Sequence, residues 1–274
     1  MKGKLLPILT LGFGLALATQ SLLAQESPDD EKAKAAELAK KLSNPIASLI
    51  SVPIQNNWDF GIGPSDAQRY TANIQPVIPF SLSESWNLIT RTIVPVISAQ
   101  SPSPGGETQS GLGDIVQSFF FSPKAPTSGG WIWGAGPVLL YPTATKDSLG
   151  ADKWGGGPTF VVLKQSRGWT YGALGNHIWS VAGNSDRANV SATFIQPFLS
   201  FTTKTFTTFG LNTESTYDWK SKQWTVPLNV SVSQLLRLGK QPVSVGLGYK
   251  YFAAGPDGSP DWGLRLILTL LFPK

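Results

Sequence analysis

The chain has no cysteine, one histidine and one methionine among its 274 residues. Without cysteine there are no disulfides and no thiolate metal sites. With a single histidine, only a carboxylate site for a hard cation would remain, and the aspartates and glutamates are scattered. No metal and no cofactor is therefore expected. Charge is also scarce: 14% of residues are charged, against about a quarter in an ordinary soluble domain. After residue 24 no run of about twenty apolar residues occurs, so no transmembrane helix is available. No Lys/Arg run resembles a nucleic-acid footprint, which removes that class of partner. Yet 41% hydrophobic content excludes a disordered chain. A membrane reading has to be a β-barrel reading.

What is present begins with an export signal. Lys2 and Lys4 precede an apolar stretch, Leu5 to Ala18, that ends in Ser21-Leu22-Leu23-Ala24. This is the layout of a secretory signal peptide cleaved after Ala24. Its removal would lower the formal net charge from +5 by the two lysines, to +3. Residues 27–43 then read as a short helix. Ser27 is placed to cap, Pro28 takes the first helical position, Asp29, Asp30 and Glu31 crowd the first turn, and Lys40 and Lys41 the last. Asn44-Pro45 stops it. Two readings stay open for this segment, a solvated periplasmic extension, which is favoured, and a plug that enters a barrel mouth. The domain expectation is a signal peptide over 1–24, a helical extension or plug over 25–46, and a barrel over 47–274.

From Ala47 the pattern changes to short alternation broken by turn residues. Twelve strands are predicted near 48–58, 69–80, 86–98, 113–122, 131–142, 154–164, 169–180, 188–202, 205–218, 223–235, 242–252 and 261–272. In 224–233, Trp224, Val226, Leu228, Val230 and Val232 share one face, while Thr225, Asn229, Ser231 and Ser233 share the other. Apolar-out, polar-in alternation is the barrel-strand signature. Most of the ten tryptophans lie near strand ends, as interfacial girdles require. Short connections alternate with longer ones at 61–68, 99–112, 143–153, 181–187 and 253–260, and 220–222 is the exception. The expected fold is all-β, an antiparallel transmembrane barrel of about twelve strands with a short N-terminal helix. Pro53, Pro76, Pro95, Pro137, Pro158, Pro197 and Pro227 fall inside these strands and predict bulges or kinks. The glycine runs 134–136 and 155–157 lack the lysine and helix of a phosphate loop. They predict close packing instead.

Charges within strands cannot face lipid cheaply: a basic side chain at the midplane costs about 2–4 kcal/mol. Arg91, Glu214, Lys250 and Arg265 are therefore expected to point inward, together with Gln55, Asn73, Gln75, Asn212 and Asn229. This set either lines a water-filled path or forms a bonded network that fills the lumen, with Arg91 and Glu214 a candidate pair. No catalytic residues are expected. His177 has Trp179 where an outer-membrane phospholipase would carry serine.

Several stretches resemble a known family: Leu49–Gly63 (LISVPIQNNWDFGIG), Asn73–Phe80 (NIQPVIPF), Ile89–Ile97 (ITRTIVPVI), Gly111–Lys124 (GLGDIVQSFFFSPK), Trp169–Ala182 (WTYGALGNHIWSVA), Asn212–Trp219 (NTESTYDW) and the terminal TLLFPK. Together they resemble the outer-membrane barrel family named for the meta pathway of phenol degradation, whose members are often labelled "transporter" or "neuromedin U". The resemblance implies a channel-like protein in the outer membrane of a Gram-negative bacterium, one that passes small organic solutes. It supplies no catalytic residues. The expected function is passive passage of small solutes, aromatic or anionic ones among them, and the alternative is a closed structural or partner-binding barrel. Expected partners are outer-membrane lipid, a small-molecule solute and the barrel-assembly machinery. The end departs from the family's usual terminal aromatic, because Pro273 and Lys274 follow Phe272.

Overall fold

A computed structural model describes residues 28–273, so the signal-peptide expectation and the Ser27 cap lie outside the described residues. Helix α1 spans Pro28–Leu42, with acidic residues in its first turn and Lys40 and Lys41 in its last. Lys41 also pairs with Glu37 one turn back, at 2.7 Å.

Twelve antiparallel strands follow: β1 Ile50–Ile62, β2 Ala67–Ile74 continuing as Val77–Ser81, β3 Trp86–Ala99, β4 Gln109–Leu112 continuing as Ile115–Pro123, β5 Trp131–Tyr141, β6 Lys153–Ser166, β7 Trp169–Gly183, β8 Ser191–Thr202, β9 Thr207–Thr213 continuing as Ser215–Asp218, β10 Gln223–Leu238, β11 Gln241–Ala254 and β12 Trp262–Phe272. Each pairs with the next. β12 returns to β1 over Ile50↔Phe272 to Phe60↔Trp262, which closes the barrel. Closure leaves no sheet edge, the condition for crossing a bilayer with strands.

Short turns gather at one end and longer loops at the other. A two-residue hairpin, Arg167-Gly168 between β6 and β7, has φ of 49° and 86°. Positive φ at both central residues matches the right-handed twist of the flanking strands. At the long-loop end the β1–β2 connection is only residues 63–66, shorter than the 61–68 expected, because both strands pair further than their sequence alternation extends.

The prolines interrupt ladders as a missing N–H requires. Gln75-Pro76 breaks β2, and Pro227 coincides with a register shift against β11. Pro137, Pro158 and Pro197 lie opposite gaps in the β4–β5, β6–β7 and β8–β9 ladders. Glycines allow close approach at these gaps. A Cβ on Gly157 would collide with the carbonyl oxygen of His177, and one on Gly136 with that of Phe119.

Outward positions are apolar and bare. Leu247 is 62% exposed and Val230 51%, a surface suited to lipid. The interior departs from the expected polar lining. Ile89, Phe120, Val161, Leu163 and Leu174 point inward from β3 to β7 and form one apolar cluster with Val77. The lumen thus has a mainly apolar wall on β3–β8, interrupted by polar groups such as Arg91, Thr159 and Gln196, and a mainly polar wall on β9–β12 and β1–β2. Apolar-out, polar-in alternation is closer on the second.

Candidate functional site

The polar wall is a bonded network. β1 delivers Gln55, Asn57 and Asp59 inward, and register sets them against Arg265 and Gly263 of β12 on one side and Asn73, Thr71 and Arg69 of β2 on the other. Arg265 donates from Nε to Asn57 Oδ1 at 2.6 Å and from its two Nη atoms to Glu214 at 2.9 and 2.7 Å. Glu214 sits in the break of β9 opposite the Pro197 gap, where the strand is released from its ladder with β8. Lys250 pairs with Asp59 at 2.5 Å, and Arg69 reaches the other Asp59 oxygen at 3.3 Å. Asn229 donates to Asn212 Oδ1 at 2.9 Å, while its own buried amide oxygen has no partner among the described residues.

The expected Arg91–Glu214 pair does not form. Arg265 occupies both oxygens of Glu214, and Arg91 donates instead to Gln75 Oε1 at 2.7 Å. Lys250 and Arg265 are each held by a carboxylate in direct contact. The hydrogen-bond partner of Arg91 is a neutral amide.

Two cavities lie along the lumen. The smaller, about 80 Å³, is lined by Gln55, Asn212, Glu214, Asn229, Lys250 and Arg265. The larger, about 220 Å³, is lined by Gln55, Gln75 and Arg91 on one side and by Leu174 and Phe198 on the other. Gln55 and Gln196 border both. Of the residues expected inside, Asn73 alone borders neither cavity. It pairs with Gln55 in the β1–β2 ladder.

The larger cavity is covered from the short-turn end by the chain just after α1. Residues 43–49 turn back under an Asn44 side chain that accepts the Ile46 N–H at 3.0 Å. Ile46 is 4% exposed and joins the apolar cluster inside the barrel. Asn87 donates to Ser48 at 2.9 Å, Gln165 donates to the Lys40 carbonyl at 2.9 Å, and Glu31 pairs with Arg237 at 2.9 Å.

Sequence reasoning missed Asn57, Asp59, Gln196 and Lys153. Strict alternation from Gln55 reaches Asn57 within the expected strand, and Asp59 once β1 is extended past residue 58. Lys153 is 5% exposed at the start of β6. It lay in an expected loop, where a lysine carries no signal. His177 faces outward: its Nδ1 is 2.7 Å from Thr193 Oγ1 and its ring centroid lies 4.0 Å from that of Trp179, with the planes tilted by 45°. Ser191 Oγ is 3.5 Å from its Nε2.

This architecture is that of outer-membrane β-barrels. An outer membrane channel from Pseudomonas putida F1 superposes with a TM-score of 0.63 at 16% identity, over 82% of this chain and 94% of that one. The NanC porin superposes at 0.52 and 9% identity, over 81% of this chain and all of that one. No protein-family model and no curated protein matches the sequence.

Proposed function

We propose that the chain is an outer-membrane channel for the passive passage of small solutes, exported through a signal peptide and inserted by the barrel-assembly machinery. The observation that carries this is the pair of lumen cavities meeting at Gln55 and Gln196, inside a closed barrel with an apolar exterior. The fold likeness to a channel from Pseudomonas putida F1 agrees with it. So do the sequence segments that resemble the phenol meta-pathway family. Arg91, which no carboxylate contacts directly, biases the interior toward anions. Residues 43–49 act as a gate at the periplasmic end, displaced when the path opens.

The test is single-channel conductance in a planar bilayer, with reversal potential under a salt gradient. Steady current with an anion preference that Arg91→Glu reverses supports the reading. Unchanged selectivity in that variant sinks the role of Arg91. A second reading, a closed partner-binding barrel, draws on the burial of Ile46 against the inner wall. A folded barrel that passes no current after removal of residues 28–49 would establish it instead.

A further inference from the structure

The larger cavity has two unlike walls and one uncommitted charge. Arg91 reaches it from β3. A guanidinium carries five N–H donors, and the single side-chain bond recorded for Arg91 goes to Gln75. Glu214, the carboxylate of the adjoining cavity, has both oxygens on Arg265. Lys41, at the rim, is tied to Glu37. The side-chain amides of Gln55 and Gln196 also border the space, and no hydrogen bond is recorded for either among the described residues. The cavity therefore presents Arg91 and the free amide of Gln55 on one side. Opposite stand Leu174 and Phe198, with the free amide of Gln196 on the same face between them.

We infer that this cavity is a binding site for a small organic monocarboxylate with an apolar body. The carboxylate takes the free face of Arg91, with Gln55 as a further donor, and the body lies on Leu174 and Phe198. This rests on the channel reading, and names the class of solute that the path holds.

Three physical points select the class. A carboxylate matches the planar guanidinium fork and forms paired, charge-assisted bonds. A second negative charge on the solute would find only the neutral Gln196 amide beside Leu174 and Phe198, and a charge without a counter-ion against a mainly apolar wall is costly. The volume decides the size. At about 220 Å³ the space exceeds the roughly 150 Å³ of an apolar cavity that accommodates benzene. It takes a ring and a carboxylate, or a short branched chain and a carboxylate.

The experiment is ¹⁹F NMR titration of the full chain in lipid nanodiscs, so that no detergent competes for the cavity. The probe is 4-fluorobenzoate. The comparators are 4-fluorobenzyl alcohol, which keeps the body without the charge, and fluoroacetate, which keeps the charge without the body. Saturable binding of 4-fluorobenzoate is expected, with each comparator weaker by roughly tenfold or more, the loss of one charge-assisted contact or of most apolar burial. Arg91→Gln should weaken 4-fluorobenzoate by roughly tenfold or more, and Arg91→Lys by less, since it keeps the charge but loses the fork. Unboiled gel mobility reports whether each variant is folded. If Arg91→Gln does not fold, the two comparators decide.

Equal binding of the alcohol and the benzoate would overturn the inference, as would unchanged affinity in a folded Arg91→Gln barrel. Conductance on the same preparation separates the two proposals. Current without benzoate binding removes the site and leaves the channel. Saturable, Arg91-dependent binding in a barrel that passes no current supports the site and removes the channel.

Discussion

Arg265 and Glu214 meet as a bidentate pair inside the barrel, at 2.9 and 2.7 Å, across 51 residues of sequence. The third guanidinium position is bound by Asn57, so Arg265 is satisfied on every side that faces the lumen. Its side chain is 7% exposed and that of Glu214 24%. Breaking a buried pair leaves an uncompensated charge, whereas replacing both partners by apolar groups is close to neutral. Glu214→Gln should therefore destabilise the barrel by about 3–5 kcal/mol, and the double variant Glu214→Leu, Arg265→Met should recover most of that. Urea unfolding in lipid vesicles measures both. Equal losses in the single and double variants would mean that the pair is solvated and that the lumen at this level is wet.

The outer surface predicts a depth-dependent penalty. Leu247 lies midway along β11 and is 62% exposed, while Leu238 ends β10 at the short-turn end and is 64% exposed. Water would treat two such leucines alike. A bilayer does not: Leu247→Arg should cost about 2–4 kcal/mol, and Leu238→Arg about 0–1 kcal/mol, because the second reaches the interface. The same unfolding measurement applies. Equal costs would argue against a hydrocarbon band at the level of Leu247.

The strands were legible because alternation, turn residues and terminal aromatics all act locally. Residues 224–233 display their outward face without any tertiary information, and the hairpin at Arg167-Gly168 is written in two residues. Interior partners are different. Arg91 and Glu214 are both inward, but which cation reaches Glu214 depends on barrel shear and on the break in β9, and neither has a local signal. The apolar inner wall was hidden for another reason. In β6 and β7, Val161, Leu163 and Leu174 alternate with outward residues that are also apolar, such as Phe160, Val162 and Tyr171, so the period is lost. The destination of residues 43–49 was equally opaque. Ile46 is one apolar residue in a turn, and only the cluster around it gives it meaning.

One carboxylate clamps a loop at the long-loop end. Asp114, in the bulge of β4, accepts from the backbone N–H of Ala144 at 3.1 Å and of Ala151 at 2.6 Å. It clamps both ends of the 142–152 loop to its neighbouring strand. Asp114→Ala removes both bonds, each charge-assisted and worth about 1.5–3 kcal/mol. The exposed Lys146 should then become the first tryptic cut in the folded protein, at a clearly higher rate than in the parent chain. Limited proteolysis followed by mass analysis reads this out. An unchanged rate would assign the loop's order to the Arg187 contacts with the Asp147 and Gly150 carbonyls.

The proposed gate is anchored by buried apolar side chains, of which Ile46 reaches furthest into the inner wall. Ile46 is held by the apolar cluster of Ile89, Phe120, Leu163 and Leu174, while Ala47 and Leu49 pack with Leu271 in a second one. Ile46→Asp places a charge against that wall, which the segment can avoid only by leaving the mouth. The strands remain paired, since none of the ladders involves residue 46. The expected result is a folded barrel whose single-channel conductance is raised, approaching that of a chain lacking residues 28–49. A reversible lock provides the control. Ser48 and Asn87 are bonded at 2.9 Å, and the chain has no cysteine of its own. Ser48→Cys with Asn87→Cys, added to Ile46→Asp, should restore the low conductance on oxidation and release it on reduction. If oxidation forms the disulfide and the current stays high, solutes pass beside the segment, and residues 43–49 are a fixed lining of the mouth.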